Sequence, residues 1–251
     1  MTENLIQASQ GRPWSDWKRS AHLARAGWIE PETLCVPGRR TVIVAPHPDD
    51  EILMAGGLMA GFEGREQDLI LVSATDGEGS HPGSEQWPQP ALRRQRVQES
   101  RHALQRLKLD LNALTWERLN LTDGGVAHDE AYLVNHLSRL LAPGDLLITT
   151  WRGDGHCDHE AIGRACAQVA VARQATLCEI PVWAWHWAEP DDPRLPWSRA
   201  HRVRLDPERL ARKREAIHAH LTQLQPDGDR PPVVPPLLLD CLLQPFELVF
   251  L

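Results

Sequence analysis

The stretch TVIVAPHPDDE, residues 41–51, decides how the rest of the chain is interpreted. Its first five residues are β-branched or small and apolar, a run typical of a buried strand. Prolines at positions 46 and 48 end that strand, so one histidine and three carboxylates (residues 47 and 49–51) follow at its carboxyl end. Four ionisable groups at the end of a buried strand are costly unless a ligand compensates their charge. A divalent metal ion would do so.

A second turn of the same kind is the segment WRGDGHCDHE at residues 151–160. It follows another predicted buried strand, residues 145–150, and it also opens a predicted helix. In open α/β sheets, ligands bind outside the carboxyl ends of the strands. If these two strands are close together in a parallel sheet, the two turns face one crevice.

Predicted strands and helices alternate from residue 41 onward. Strands are predicted at residues 41–45, 68–73, 114–121, 145–150, 181–187 and 200–205, with an edge strand at 246–251. Helices are predicted at residues 52–61, 91–109, 132–141, 159–175 and 207–224. This alternation predicts a single α/β domain over residues 41–251, with a mainly parallel sheet and helices on both faces. We expect residues 1–40 to form a partly helical N-terminal lead-in that packs on the domain.

The overall composition and net charge limit the kinds of molecule that the protein is expected to bind and the compartment in which it is expected to lie. The net charge of the 251 residues is −7, with lysine and arginine spread along the chain, which argues against nucleic acid as a partner. No apolar run approaches the ~20 residues of a transmembrane segment. The first residues lack the pattern of a secretory signal, and the five cysteines include no C-x-x-C pair. We therefore expect a cytoplasmic protein with reduced thiols, and a homo-oligomer is compatible with the sequence.

The residue types in the two turns suit metal-assisted hydrolysis of an amide. His47, Asp50 and His159 are candidate metal ligands, because two histidines and a carboxylate bind zinc and leave one position for water. Such a site brings the pKa of bound water to ~7. Asp49 is the candidate general base. The same ligands accept iron or cobalt, so the sequence does not exclude other divalent metals.

A third group must stabilise the oxyanion or protonate the leaving nitrogen. His156 is the candidate, with Asp158 orienting its ring and holding it as imidazolium. Each turn alone is also consistent with a plain helix cap by Asp49, Asp50 or Asp158. A non-catalytic sugar-binding or metal-binding module in the same crevice is the alternative function.

These motifs resemble those of the PIG-L/LmbE family of zinc-dependent N-acetylglucosaminyl deacetylases. The resemblance rests on PHPDDE at residues 46–51 and GHCDH at residues 155–159. Weaker likeness covers TDGE at 75–78, the helix around residues 96–107, DGG at 123–125 and residues 213–223, so it extends over about 41–224. One departure is Cys157, where the family usually carries proline.

The resemblance implies a Rossmann-like sheet and removal of an N-acetyl, or another N-acyl, group from a small amino sugar or glycoconjugate. It implies the same roles for the two turns: His47, Asp50 and His159 as zinc ligands, Asp49 as base, and His156 with Asp158 at the oxyanion. It further suggests substrate contacts by Arg96, Asp123 and Asp154. The long loop at residues 78–90 and the Trp-rich segment at 181–197 are expected to set the acyl or sugar preference.

Overall fold

An eight-stranded sheet runs through the computed structural model, which describes residues 5–251. The strands are β1 (Gly27–Ile29), β2 (Thr41–Ala45), β3 (Leu69–Thr75), β4 (Thr115–Leu121), β5 (Leu146–Thr150), β6 (Thr176–Ile180), β7 (Ala200–Arg204) and β8 (Phe246–Phe250). Their order across the sheet is β1-β7-β8-β6-β5-β2-β3-β4. All neighbouring pairs are parallel except the two that β8 makes. The α/β class and the mainly parallel sheet are therefore confirmed.

Helices surround this sheet along its length. They are α1 (Leu5–Ala8), α2 (Trp14–Trp17), α3 (Ala21–Arg25), α4 (Pro31–Leu34), α5 (Asp50–Met59), α6 (Gln89–Arg106), α7 (Glu130–Leu140), α8 (Cys157–Arg173), α9 (Ala184–Trp187), α10 (Pro207–Ile217), α11 (Leu221–Leu224) and α12 (Pro236–Leu242). Short 3-10 turns lie at Ala60–Phe62, Glu66–Asp68, Val126–Asp129 and Trp197–Arg199. No helix in the described part of the chain is long and apolar enough to cross a membrane.

Two apolar cores, one on each face of the sheet, hold the layers together. Alternating residues of β2 divide between them: Ile43 packs in the core that contains α5 and α6, and Val42 and Val44 pack in the core that contains α7 and α8. The alternation follows from the two-residue period of a strand. Because both faces are covered, the central strands are mostly apolar and do not alternate between apolar and charged residues.

The strands that precede the two turns are direct neighbours. β2 pairs with β5 in parallel, and the pairing runs from Thr41 opposite Leu146 to Val44 opposite Thr149. The carboxyl ends of both strands therefore lie at the same edge of the sheet. β3 flanks β2 on its other side, and the Thr75 N–H and Oγ1 both donate to Pro46 O, at 3.0 and 2.9 Å.

The N-terminal segment packs on the domain and also contributes a strand to its sheet. Trp17 is fully buried and its indole N–H donates to Trp185 O at 3.0 Å, so the described part of the segment packs on the domain. It also supplies β1, which pairs in parallel with β7 at the margin of the sheet. Residues 1–4 of the expected lead-in lie outside the described residues.

Three local predictions are wrong. The strand expected at residues 181–187 is instead β6, five residues earlier, and α9 follows it. The predicted edge strand, β8, lies inside the sheet between β6 and β7. The single helix expected at residues 207–224 ends at Ile217, and α11 follows after a short break. In each case long-range pairing, which the local pattern does not encode, decides the outcome.

Candidate active site

The first turn places four buried ionisable side chains at the end of β2, those of His47, Asp49, Asp50 and Glu51. Asp50 begins α5, and its Oδ2 accepts a hydrogen bond from the His47 backbone N–H at 3.1 Å and lies 3.0 Å from His47 Nδ1. Asp49 has φ 129° and ψ −34°, a backbone conformation that costs a non-glycine residue about 1–3 kcal/mol. The Asp49 side chain makes no capping hydrogen bond. Helix capping therefore does not account for this turn.

The second turn is built around the start of α8. His156 is the N-cap residue, and its Nδ1 accepts a hydrogen bond from the Asp158 backbone N–H at 3.2 Å. A neutral imidazole that accepts at Nδ1 carries its proton on Nε2. Gly155 before it has φ 85°, and a Cβ there would lie 2.7 Å from the Trp187 indole nitrogen, so glycine is required.

The two turns bring three imidazoles together. One ring nitrogen each from His47, His156 and His159 lie within 4.8 Å of one another. His159 Nε2 is fully buried, lies 3.1 Å from Asp50 Oδ2 and makes no hydrogen bond of good geometry with any residue in the described part of the chain. An orphaned buried nitrogen is costly. A cation shared with Asp50 and His47 could bind this nitrogen in place of a proton.

Carboxylates surround the His47 ring on its other side as well. His47 Nε2 lies 3.1 Å from Asp158 Oδ2 and 3.2 Å from Asp123 Oδ1. His47, Asp123 and Asp158 form a second set whose ligand atoms all lie within 4.8 Å, and His156, Cys157 and Asp158 form a third. More than one grouping of ligands is therefore available at this edge of the sheet.

Burial and close contacts between the clustered side chains determine the direction of their pKa shifts. Burial lowers the pKa of His47, but contacts with Asp123, Asp158 and Asp50 outweigh it and hold that pKa well above its usual value. Burial likewise lowers the pKa of His159, and the charge of Asp50 with the hydrogen bond to Asp154 raises it to about 9. Burial raises the pKa of Asp50, but its contacts with His159 and His47 outweigh burial and hold that pKa far below its usual range. Protons on the two histidines compensate the negative charge.

His156 behaves in the opposite way. Burial, together with the positive charges of His159 and His47, lowers the pKa of His156 to about 3. The ring is therefore neutral near pH 7, whereas the sequence predicted an imidazolium.

Arg96 holds Asp49 in place. Its Nη2 donates to Pro48 O at 2.6 Å and to Asp49 Oδ1 at 3.2 Å, and its Nη1 donates to Gly77 O at 2.9 Å. Burial raises the pKa of Asp49 to about 8, although the charge of Arg96 opposes the shift. A carboxylate whose pKa lies near neutrality is suited to accept and release a proton.

Comparison with known proteins identifies the relatives of this chain. A family model described as PIG-L, GlcNAc-PI de-N-acetylase, matches residues 42–170, just over half of the chain. The chain belongs to the PIG-L family. The matched residues include both turns and every predicted site residue.

Individual relatives of this PIG-L protein are distant. It is 29% identical over 143 residues to a 1D-myo-inositol 2-acetamido-2-deoxy-alpha-D-glucopyranoside deacetylase of Mycobacteroides abscessus, covering 48% of this chain and 51% of that protein. The chain thus spans about half the length of this curated relative.

Solved structures share the fold. An N,N'-diacetylchitobiose deacetylase from Pyrococcus horikoshii has a TM-score of 0.56 at 17% identity, over 76% of this chain and 72% of that chain. The zinc-inhibited form of a teicoplanin deacetylase has a TM-score of 0.57 at 14% identity, over 84% and 97%.

Asp154 does not contact the crevice, contrary to the sequence prediction. Its carboxylate is fully buried and lies 2.8 Å from His159 Nδ1. It also accepts hydrogen bonds of 2.9–3.0 Å from the backbone N–H groups of Val182, Trp183 and Ala184. With its lone pairs engaged in this way, Asp154 orients His159 and has no oxygen left for a substrate.

Asp158 also differs from its predicted role. Its carboxylate accepts hydrogen bonds from the backbone N–H groups of Gly124 and Val126, at 2.7 and 3.1 Å, and faces His47. Its hydrogen bond to the His156 ring comes from the backbone N–H. Asp158 therefore joins the 123–126 loop to His47 and does not orient His156 through its carboxylate.

A cavity of about 410 Å³ opens over the cluster. His47, Asp49, Asp50 and His156 line its base, as do the predicted substrate contacts Arg96 and Asp123. The sequence analysis missed several other lining residues: Ile6, Gln7, Leu53, Gly79, Ser80, Trp183, Gln223, Val233 and Val234. Gly79, Ser80 and Trp183 fall within the loop and the Trp-rich segment that were expected to set the acyl or sugar preference, and Gln223 ends the 213–223 segment of the family likeness, but no local pattern indicated the other five.

Proposed function

We propose that this protein is a divalent-metal-dependent hydrolase, with zinc as the favoured metal, that releases acetate or another acyl group from an N-acylated amino sugar or glycoconjugate. The observation that carries the proposal is the unpartnered Nε2 of buried His159 beside Asp50 and within reach of His47. Asp50 Oδ2 lies 3.0 Å from His47 Nδ1 and 3.1 Å from His159 Nε2, and two imidazoles with one carboxylate are ligand types of a catalytic zinc site.

His47, Asp50 and His159 would hold the ion. Carboxylates surround these ligands, and a dication would balance their negative charge. In the metal-free protein, protons on both histidines balance that charge instead. Asp154 supports this assignment by fixing the His159 ring through Nδ1, which leaves Nε2 as the ligand atom. When bound, such an ion supplies a water of pKa ~7 and polarises an amide carbonyl.

Asp49 accepts the proton of the attacking water in this proposal. It lines the cavity next to Asp50, it is not engaged in helix capping, and Arg96 fixes its orientation. Its strained backbone supports a functional role, because strain of this kind persists where the surrounding structure enforces it.

His156 donates a hydrogen bond from Nε2 to the developing oxyanion. Its Nδ1 already accepts from Asp158 N–H, and its low pKa keeps the ring neutral, so the tautomer with the proton on Nε2 is the one present. A fixed donor in a buried site stabilises the charge of the tetrahedral intermediate.

The substrate class comes from the relatives together with the cavity. The named relatives deacetylate an acetamido-glucopyranoside inositol, a diacetylchitobiose and teicoplanin. The cavity of about 410 Å³ has room for a sugar ring, and Arg96, Asp123 and Gln223 offer polar contacts in its wall. The cytoplasmic location and the oligomeric state stay predictions from the sequence.

An acetate-release assay tests the proposal. The protein is stripped with a chelator, reloaded with Zn²⁺, Co²⁺ or Fe²⁺, and assayed on N-acetylglucosamine and its glycosides. We expect no release from the stripped protein and restored release after reloading. Metal uptake without hydrolysis of any N-acyl substrate would instead favour the non-catalytic binding module.

A further inference from the structure

Glu51 is a buried carboxylate to which the proposed mechanism gives no role. It is the second residue of α5 and has no exposure to solvent. Its Oε2 accepts a hydrogen bond from the Asp49 backbone N–H at 3.1 Å, and its Oε1 accepts one from Ser100 Oγ at 2.8 Å. Neither donor carries a positive charge, and burial of a carboxylate without a cationic partner is costly. The contact with Asp49 therefore calls for a physical reason.

A plain helix cap does not explain this arrangement. In a capping box, the third residue of a helix accepts a hydrogen bond from the backbone N–H of the N-cap residue. Glu51 is the second residue of its helix, and it is held by Ser100 from another helix, α6. N-cap residues usually have extended backbone angles, whereas Asp49, the N-cap residue here, has φ 129°.

Hydrogen bonds fix the peptide units on both sides of the Asp49 Cα atom. On the amino side, Arg96 Nη2 donates to Pro48 O at 2.6 Å and Glu51 accepts from Asp49 N–H, so both polar groups of one planar peptide are held. On the carboxyl side, Asp49 O accepts hydrogen bonds of 2.9 and 2.8 Å from backbone N–H groups of α5. Because φ and ψ relate these two peptide planes, the contacts together enforce the strained conformation.

Helix α6 contributes to this arrangement at two points. Arg96 and Ser100 are both buried and lie one turn apart, so they project from the same face of the helix. Arg96 contacts the Pro48 carbonyl and the Asp49 carboxylate directly. Ser100 reaches the Asp49 backbone only through Glu51. Glu51 thus connects α6 to the N–H side of Asp49.

We propose that Glu51, oriented by Ser100, is a positioning residue that keeps Asp49 in its strained conformation, so that its carboxylate faces the cavity before substrate binds. This inference rests on the proposed function, in which Asp49 is the general base. Glu51 does not line the cavity and acts through the Asp49 backbone. A displacement of ~1 Å in a catalytic group can reduce the rate ~10²-fold. Loss of Glu51 should therefore lower kcat and leave substrate binding unchanged.

Two substitutions at position 51 test the inference on the zinc-loaded protein with N-acetylglucosamine as substrate. Glu51→Met keeps the approximate volume but removes the acceptor, whereas Glu51→Gln keeps an oxygen that accepts from the Asp49 N–H. We expect Glu51→Met to lower kcat by ~10–10², with KM and zinc content within about twofold of wild type. Glu51→Gln should keep kcat within about threefold of wild type. Wild-type kcat in Glu51→Met, or an equal loss in both variants, would overturn the inference.

The same substitution in an Asp49→Asn background shows whether Glu51 acts through the base. We expect Glu51→Met to cause little further loss of kcat there, because residue 49 can no longer accept a proton, and coupled residues are not additive. A purely structural effect of Glu51→Met would lower kcat by the same factor in both backgrounds. That result would overturn the inference.

Ser100→Ala is a milder variant that keeps the test available if methionine at position 51 prevents folding. It removes one hydrogen bond from Glu51, and we expect kcat to fall about threefold to tenfold with KM unchanged. The matched control is Ser73→Ala, which removes another buried hydroxyl, one that accepts from Trp116 Nε1 at 2.9 Å. The control should keep wild-type kcat. Wild-type kcat in Ser100→Ala, or an equal loss in the control, would contradict the proposed role.

Crystal structures of the position 51 variants separate failure of this inference from failure of the proposed function. The readout is the Asp49 backbone, which requires no turnover. A φ near 129° that Glu51→Gln keeps and Glu51→Met loses would support the positioning role, even if the wild-type protein released no acetate. An unchanged Asp49 conformation in Glu51→Met would overturn the inference and leave the deacetylase proposal in place.

Discussion

The two turns that form the site use the same residue types in opposite ways. In the first turn, Asp49 lies at the cavity on a strained backbone, and its carboxylate accepts a hydrogen bond from Arg96. In the second turn, Asp154 is fully buried, accepts hydrogen bonds from three backbone N–H groups and faces His159. The first carboxylate retains free acceptor capacity, whereas that of the second is engaged by the protein itself.

This difference separates a reactive group from a structural one. Both aspartates follow a buried strand and both lie beside a proposed metal ligand, so sequence position does not distinguish them. The backbone donors around each carboxylate distinguish them. A carboxylate that accepts hydrogen bonds from several backbone N–H groups contributes to folding, whereas one held on a strained backbone beside a cavity contributes to chemistry. Substitutions at the two positions should therefore affect different measurements.

Asp49→Asn should have the largest effect on turnover. We expect kcat to fall by ~10²–10⁴, since the amide cannot accept the proton of water, a loss typical of a general base. Zinc content by mass spectrometry should stay at the wild-type value, because Asp49 is not a proposed ligand. A variant with wild-type kcat would remove Asp49 from the role of base.

Asp154→Ala should have the largest effect on stability. It leaves three backbone N–H groups and the His159 ring without their buried acceptor, and we expect the free energy of unfolding to drop by ~3–5 kcal/mol. Urea denaturation of the metal-free protein measures this loss. Asp49→Ala is the matched control and should cost much less; equal losses at the two positions would contradict the distinction between the turns.

The strain at Asp49 can be measured separately from its carboxylate. Asp49→Gly and Asp49→Ala both remove the side chain, but only glycine adopts φ near 129° without strain. We expect the glycine variant to be more stable than the alanine variant by about 1 kcal/mol, since relief of strain exceeds the entropic cost of glycine. Thermal denaturation that ranks alanine above glycine would show that the backbone there is unstrained.

Cys157→Pro should have the smallest effect. Cys157 is the first residue of α8, where proline is favoured, and its thiol is exposed. We expect unfolding free energy to change by no more than about 1 kcal/mol and kcat to stay within about threefold, well below the loss of a catalytic group. A large loss of activity would show that the thiol takes part in the site, as the grouping of His156, Cys157 and Asp158 within 4.8 Å allows.

The sequence predicted the central sheet well because its strands are buried on both faces. Every residue of β2, β3 and β5 is buried, and most of the residues in each strand are apolar. β6 was missed because it contains Glu179, a fully buried carboxylate that pairs with Arg152 and Arg199 at 2.7 and 2.9 Å. The aromatic residues at 181–187 favoured a strand there instead, but the N–H groups of residues 182–184 bind Asp154 and so cannot join the sheet.

The sequence predicted that the two turns lie close together, but it did not predict which partners each side chain contacts. β2 and β5 lie side by side, and each is followed by a turn that contains histidine and aspartate. This arrangement brings His47, Asp50 and His159 to the same edge of the sheet. The roles of Asp154 and Asp158 depend on which backbone N–H groups lie near them, at residues 182–184 and at 124 and 126. Those contacts join segments distant in sequence, so no local pattern indicates them.

Anomalous diffraction from crystals of the zinc-loaded protein tests the central claim most directly. Data collected on both sides of the zinc absorption edge locate the ion independently of activity. The account predicts one principal peak at ~2.0–2.2 Å from a ring nitrogen of His47, a carboxylate oxygen of Asp50 and His159 Nε2. A principal peak bound by His156, Cys157 and Asp158, or by His47, Asp123 and Asp158 without His159, would contradict it.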